Sequence, residues 1–330
     1  MAGDYRRART LTLLLAATCL FPASASAHPG SGIVVDRAGN VYVVDMVSGV
    51  WKLDVHGSLT HMPGPGFHWL TLDAEDRFGT ARLPSGAGGE IARIGAHPTL
   101  LLGSDVPIAL GRDGNLYYPT HGSGIPLQII RLLPTGRNSV LTGIPTAGGG
   151  APLRDLNGLA AGPNGSLYYT ENRAIRRITG DGGISTVVEN LSCDGRAGTG
   201  TGPDPLLRGL DVDPEGNVYV AATGCKAVFR VTPGGQASVL PQVSAPWSPT
   251  GVATFGADLY VLEFEHGDSD DRQEMLPRIR KILASGKTTV VATVTRDQGW
   301  LPAPAGSWPD SGEGKLLDRL LAETSKSNPH

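Results

Sequence analysis

Short runs of alternating apolar residues recur along the chain, and each run is broken by a polar turn that contains Gly. Each copy joins an apolar strand to a second strand that carries Tyr, through turns such as DRAGN, RDGN, PNGS and DPEGN. This alternation around a Gly turn predicts a β-hairpin. The clear copies span 32–45, 107–120, 158–171, 209–222 and the one-residue-shorter 251–263, and a sixth, with a degraded turn, lies between Phe67 and Phe78.

Two further short strands follow most copies, clearest at 174–179 and 184–188, 227–232 and 237–240, and 278–283 and 288–294. Each unit therefore supplies four strands. A single four-stranded meander cannot bury both of its apolar faces. Six such units can bury them against one another when they are arranged as a ring of blades. The sequence predicts an all-β, six-bladed β-propeller of four-stranded blades. A solenoid or sandwich is the alternative, but units of roughly 38 to 51 residues exceed one solenoid rung.

The chain is expected to divide into three parts. Residues 1–27 join an Arg-rich start to an apolar run and the triplet Ala25-Ser26-Ala27, which predicts a signal peptide and a secreted or periplasmic product. The propeller is expected over 28–295, with blades 1 and 6 each complete and no strand shared across the ring closure. In the tail, 296–330, a short amphipathic helix carries Leu316, Leu317, Leu320 and Leu321 on one stripe. Packing on the propeller is favoured for that stripe over binding a partner.

Composition narrows the function classes. The 46 Gly and 25 Pro lie at regular intervals between Val, Leu and Tyr runs, which indicates turn-rich β structure. The formal net charge of -3 gives no basic field for nucleic acid. Beyond the leader no segment is long and apolar enough to span a membrane. We expect a monomer whose partner is a small molecule or a protein.

Propeller geometry gathers certain positions at one end of the channel, here called the top face, where the inner strand of each blade begins. The residue before each repeat falls at the mouth of the channel on that face. These residues are Ser31, His68, Val106, Asn157, Arg208 and Thr250. The polar members predict a ligand funnel made of Ser31, His68, Asn157, Arg208 and Thr250.

Carboxylates at the ends of the second strands are predicted to reach the same face. Asp45, Glu171 and Glu263, together with Asn157, offer oxygen ligands suited to Ca²⁺ or another divalent cation. The alternative is that each carboxylate caps its own loop through backbone N–H groups, and for Asp45 capping is favoured. Asn157 is equally a candidate turn residue.

Several phrases resemble known families. GNVYVVD, GNVYV and AIRRITGDGGISTVV resemble NHL repeats, and NGLAAGPNGSLYYTEN also resembles the gluconolactonase and senescence-marker-protein family. That resemblance implies a divalent metal held by a Glu of the first blade, by an Asn matching Asn157, and by an Asp one blade further on. Here those Glu and Asp positions are Ser31 and Arg208. Two of the three ligands are missing, and Arg208 favours an anionic ligand such as a carboxylate.

The repeats also resemble those of the streptogramin lyase branch, which implies elimination across an ester by a His base and a metal-bound carbonyl. His68, His121 and His266 are candidates for that base, with Arg208 as a further catalytic candidate. For each His, a solvated loop position is the competing interpretation.

Two cysteines remain after the leader. Cys193 lies in the insertion 190–205 and Cys225 in the loop after the second strand of the fifth blade, both on the top face. In an exported protein this predicts a disulfide, with a metal site or a reactive thiol as the alternative.

Two functions from different classes follow from these observations. The first is an exported propeller that binds a small ligand or a partner through its top-face funnel, without catalysis. The alternative is a divalent-cation-dependent hydrolase or lyase acting on a lactone, an ester or a sugar-derived small molecule.

Overall fold

The computed structural model describes residues 29–84, 90–95, 99–120, 127–144, 156–196, 202–265 and 275–295. Regular structure in these ranges is almost entirely β, with two short 3₁₀ helices at Pro163–Gly165 and Thr223–Cys225. Within the same ranges no helix combines the length and the apolar character that a membrane crossing requires. The leader, 1–27, and the tail, 296–330, lie outside the described residues.

Six antiparallel sheets follow one another along the chain, and five of them are four-stranded meanders in sequence order. Blade 1 contains β1 (Ile33–Val35), β2 (Val41–Asp45), β3 (Gly49–Leu53) and β4 (Leu59–Pro63); blade 3 contains β8 (Ala109–Leu110), β9 (Leu116–Pro119), β10 (Gln128–Leu132) and β11 (Asn138–Gly143). Blade 4 contains β12 (Leu156–Ala161), β13 (Leu167–Glu171), β14 (Ala174–Ile178) and β15 (Ile184–Val188); blade 5 contains β16 (Leu207–Val212), β17 (Val218–Ala222), β18 (Ala227–Val231) and β19 (Ala237–Val239). Blade 6 contains β20 (Trp247–Phe255), β21 (Asp258–Glu265), β22 (Pro277–Ile282) and β23 (Thr288–Thr293).

The second blade departs from this order. Its described residues form β5 (Trp69–Asp73), β6 (Ile91–Ile94) and β7 (Leu100–Ser104), and they pair in the order β5-β7-β6. The sixth copy, predicted between Phe67 and Phe78, lacks its second strand, because turns and bends follow β5. Asp73 Oδ2 accepts the Phe78 N–H at 2.7 Å, and the Phe78 ring is fully buried. The degraded turn therefore folds into a buried loop, and β7 takes the place beside the inner strand.

The first strand of every sheet lines one central cavity. These inner strands are β1, β5, β8, β12, β16 and β20. Each lies at the edge of its sheet, so the six sheets radiate from a common axis. The predicted fold class, a six-bladed β-propeller, is confirmed.

Apolar side chains pack between neighbouring blades. Val43 and Val44 of β2 belong to one buried cluster that also contains Leu101 of blade 2 and Leu262 of blade 6. A second cluster joins blade 4 to blade 5, where Ile175 belongs to the same core as the blade 5 residues. Because both faces of a blade are covered in this way, the second strands are almost wholly buried.

Tight hairpins turn the chain between the first two strands of the repeats. Gly39 and Gly216 occupy equivalent turns with φ of 89° and 84°. A residue with a Cβ rarely adopts this left-handed conformation, which explains the Gly in the repeat.

The ring closes without a shared sheet, as the sequence predicted: the strands of blade 1 and of blade 6 belong to separate sheets. A buried hydrogen bond joins the two blades at the top face, where Thr250 Oγ1 donates to the carbonyl oxygen of Gly30 at 2.7 Å. Nearby, Gly251 lies so close to Ser31 that a Cβ on the glycine would fall 2.2 Å from the Ser31 carbonyl oxygen.

Candidate functional site

The predicted mouth positions divide into two groups. Ser31, Val106 and Thr250 are buried. Ser31 packs where the inner strands of blades 5, 6 and 1 meet, because a Cβ on Gly209 would lie 3.0 Å from both the Ser31 Cβ and the Gly251 Cα. Ser31 and Thr250 therefore pack at the junction between blades 6 and 1 and stabilise the closed ring.

The other three mouth residues, His68, Asn157 and Arg208, are half-buried. They come from blades 2, 4 and 5 and stand at the beginning of the respective inner strands. We call these three residues the polar mouth.

Arg208 is the second residue of the inner strand of blade 5 and lies two residues before Leu210, where that strand begins to line the central cavity. Burial lowers the pKa of its guanidinium below the ordinary value. Its carbonyl oxygen is 3.5 Å from the Thr170 hydroxyl, which donates to it. Across the described part of the chain, no residue forms a hydrogen bond or an ion pair with the guanidinium. A partly desolvated guanidinium without an anionic partner favours an anionic ligand. A carboxylate or phosphate fits best, because two of its oxygens can accept hydrogen bonds from two guanidinium N–H groups.

His68 has a carboxylate partner that the sequence did not reveal. Its Nδ1 lies 2.9 Å from Asp105 Oδ1, and the two side chains are 12% and 58% exposed. The His68 ring also lies 5.5 Å from the Trp69 ring, centroid to centroid. Asp105 follows β7, the strand with the unexpected pairing, so no repeat position pointed to it. A carboxylate hydrogen-bonded to Nδ1 fixes the orientation of an imidazole ring.

Asp45 caps its own loop. One carboxylate oxygen accepts the Val47 N–H at 3.0 Å, and the other accepts the Ser48 hydroxyl at 2.8 Å and the Trp51 indole N–H at 3.0 Å. Ser48 also lies 3.0 Å from His61 Nε2, but Ser48 is fully buried. This Asp-Ser-His chain therefore lacks an accessible nucleophile.

The other two candidate carboxylates bind arginines of their own blades. Glu171 accepts Arg176 Nε at 2.8 Å. The fully buried Glu263 accepts Arg278 Nε at 2.7 Å and Arg280 Nε at 2.5 Å. Arg278 lies directly opposite Glu263 in the register, whereas Arg280 and Arg176 lie two residues further along the third strands, on the same face as their carboxylates.

The four residues predicted to bind a divalent cation thus have different partners. Over the described ranges, no three His, Cys, Asp or Glu side chains come together as metal ligands. Asn157 lies in the polar mouth and has contacts of its own. His121 and His266 lie outside the described residues, and their proposed role as bases stays a prediction, as does the Ca²⁺ assignment.

The predicted disulfide between Cys193 and Cys225 is present, with a Cα–Cα distance of 5.2 Å. It ties the segment between blades 4 and 5 to the loop after β17. Arg173 adds a second tie by donating to the Gly202 carbonyl oxygen at 2.7 Å. This segment leads directly into Arg208, so the disulfide supports the strand that presents the guanidinium.

The central cavity beneath the mouth has a volume of about 220 Å³, and one ionisable side chain, Asp211, is among the described residues that line it. Asp211 occupies the third position of its repeat, where the other clear copies carry Val34, Ala109, Ala160 and Ala253. An Asp at a position that is otherwise small and apolar could have identified Asp211 as a cavity residue, but the sequence analysis did not single it out. Asp211 keeps some accessible surface toward the cavity, yet desolvation raises the pKa of its carboxyl, while hydrogen bonds from Thr254 and Val212 oppose that effect.

Comparisons with known proteins assign neither a family nor an activity to this chain. No protein-family model matches the chain, and neither does any curated protein. Similar solved structures include virginiamycin B lyase from Staphylococcus aureus, at 16% identity over 81% of this chain and 85% of that one, with a TM-score of 0.48. Another is the calcium-binding protein regucalcin from Agrobacterium tumefaciens, at 18% identity over 74% and 85%, with a TM-score of 0.49. At these values the neighbours give no information about activity.

Proposed function

We propose that this protein is an exported propeller that binds a small carboxylate ligand at its top face, with Arg208 as the anchor. The observation that carries the proposal is the half-buried guanidinium without a counter-ion among the described residues. Leaving a cation in this state costs free energy, and a ligand carboxylate would recover it through a bidentate, charge-assisted pair. His68 and Asn157 are the further polar side chains at the mouth that would orient the ligand.

The proposal is tested by thermal unfolding of the mature protein in sodium succinate, gluconate and citrate, each compared with sodium chloride at equal ionic strength. We expect a carboxylate-dependent rise in Tm. Arg208→Gln should weaken carboxylate binding by about 10- to 100-fold, because it removes a charge-assisted hydrogen-bond pair. Arg137→Gln is the matched control, since exposed Arg137 lies in the β10–β11 turn at the opposite end of its blade. Equal loss in both variants, or a wild-type protein indifferent to every carboxylate, would contradict the proposal.

The His68–Asp105 pair favours a second candidate, a hydrolase or lyase that acts on an ester or a lactone. In this function Asp105 would hold the imidazole, and His68 would act as general base on a substrate bound by Arg208. Incubation of the protein with esters and lactones, with and without Ca²⁺, and measurement of their turnover separates the two functions. Turnover by the wild type that His68→Gln abolishes, with carboxylate binding retained, would assign catalysis.

A further inference from the structure

The wall of the central cavity is rich in oxygen. Most of its lining side chains are aliphatic, and the exceptions are Asp211 and the hydroxyl-bearing Thr71 and Thr254. Each inner strand has one strand neighbour in its sheet, so its other edge turns unpaired backbone groups toward the axis. Backbone N–H and carbonyl groups of six strands therefore face the cavity around Asp211, and the carbonyl oxygens are the acceptors among them.

Asp211 bridges blades 5 and 6 inside this cavity. Its Oδ2 accepts the Thr254 N–H at 2.7 Å and the Thr254 hydroxyl at 2.8 Å, and its Oδ1 accepts the N–H of Val212 at 2.8 Å. A carboxylate has about four acceptor sites, so Oδ1 keeps one of them for a cavity ligand. No Lys, Arg or His is among the described residues that line the cavity, and the carboxyl accordingly has no cationic side chain beside it.

We propose that the central cavity binds one monovalent metal cation, with Asp211 as its charged ligand. A donor set of carboxylate, hydroxyl and carbonyl oxygens suits hard cations and excludes the softer metals that require nitrogen or sulfur.

Charge balance decides the valence. One carboxylate with one monovalent ion leaves the cavity neutral, whereas a divalent ion would leave a buried positive charge uncompensated, which is costly in a low-dielectric interior. A volume of about 220 Å³ holds an alkali ion with several waters, since a water occupies about 30 Å³. This site is separate from the polar mouth, and Arg208 does not line it.

The test is the Tm of the mature protein in choline chloride, sodium chloride, potassium chloride and calcium chloride at equal ionic strength. Choline serves as a monovalent cation too large to be coordinated by the wall. We expect Na⁺ or K⁺ to raise Tm by about 2–4 °C over choline when the ion is about tenfold above its Kd.

Asp211→Asn should abolish this difference between salts, while the matched control Glu215→Gln, which removes an exposed carboxylate just past the same strand, should keep it. Asn retains a carbonyl acceptor for Thr254, and circular dichroism checks that the variant folds. Arg208→Gln should also keep the salt difference, so failure of the mouth proposal would not affect this one. Equal Tm in all monovalent salts, stabilisation by Ca²⁺ alone, or a difference that persists in Asp211→Asn would overturn the assignment.

A direct measurement covers the case in which Asp211→Asn does not fold. Crystals of the wild type soaked in rubidium or thallium salts should show an anomalous peak in contact with Asp211 Oδ1. A well-ordered cavity without such a peak would refute the site.

Discussion

At the scale of single residues, the polar turns of blades 1, 3 and 5 each contain a hydrogen-bond network centred on one carboxylate. Asp36 accepts the backbone N–H groups of Ala38 and Asn40 with one oxygen and the side chains of Asn40 and Tyr42 with the other. Burial opposes ionisation of Asp36, but these hydrogen bonds outweigh it and lower the pKa of the carboxyl. Burial and the adjacent carboxylate also raise the pKa of Tyr42 to about 12.

The turn of blade 3 contains the same kind of network, but its carboxylate comes from a different turn position. There Asp113 accepts from Asn115 and from the Tyr117 hydroxyl, and the pKa of Tyr117 is likewise raised to about 12. Blades 1 and 3 therefore share a carboxylate-amide-phenol network, although different turn positions supply the carboxylate.

Removal of this carboxylate should lower stability in a pH-dependent way. Asp36→Ala should cost about 1–3 kcal/mol at neutral pH, because buried donors lose their acceptor. The folded pKa of Asp36 is depressed, so the stabilisation is fully present above the ordinary value of 3.8 and is lost as the pH falls through the lower folded value. Urea unfolding should show a constant difference from pH 8 to about pH 5 that shrinks below about pH 4.

The exposed Glu215→Ala is the control for that measurement and should show little difference from the wild type. If the gap between the wild type and Asp36→Ala widened toward acid, the sign assigned to this carboxyl would be wrong.

At the scale of strands, local patterns were predictable and distant partnerships were not. The hairpins of the clear copies form as the alternation and the Gly turns predicted, because both signals act between neighbouring residues. The pairing of β5 with β7 joins strands more than 25 residues apart, and no repeat copy encodes it. Asp105 was missed for the same reason, because its contact with His68 joins two strands. Asp211 stood out by its position in the repeat, but its contacts with Thr254 of blade 6 were not predictable from that position. Asp45 shows the converse, since its loop-capping contacts are all local.

The segment between blades 4 and 5 is held by burial and backbone hydrogen bonds as well as by the disulfide. Cys225 is buried with Leu191 and Leu207, while Thr223 and Gly224 donate backbone hydrogen bonds to Leu206 and Pro205. The disulfide therefore reinforces a segment that is also held by local contacts.

Reduction of the disulfide should lower the free energy of unfolding by about 3–4 kcal/mol, from the loop entropy of residues 32 apart. Urea unfolding of the wild type with and without dithiothreitol measures this change. The double variant Cys193→Ser/Cys225→Ser should match the reduced wild type and be insensitive to dithiothreitol. An unchanged wild-type midpoint under reduction would show that the bridge contributes nothing.

At the scale of the whole molecule, side-chain packing and a buried hydrogen bond close the ring. Thr250 is fully buried, and its hydroxyl donates to Gly30 across the junction of blades 6 and 1. Every other sequential pair of blades is joined by the chain itself, so this junction is where loss of a single contact should matter most.

Thr250→Val keeps the shape of the side chain and leaves the Gly30 carbonyl without its donor. We expect a loss of about 1–3 kcal/mol, measured by urea unfolding. Thr289→Val, on the exposed outermost strand of blade 6, is the control and should change stability by less than about 0.5 kcal/mol. Equal effects in the two variants would mean that the Thr250 hydrogen bond does not support closure.

The separateness of the first and last sheets also bears on how such a molecule can change over evolutionary time. Where one blade is built from strands of both chain ends, duplication or deletion of a unit must leave those two sets of strands able to pair. Here each sheet is encoded by one uninterrupted stretch of chain. A whole blade can therefore be duplicated, deleted or moved to the other end of the gene while every remaining sheet keeps all of its strands. Later substitutions then need to restore side-chain packing only at the interface between the new neighbours.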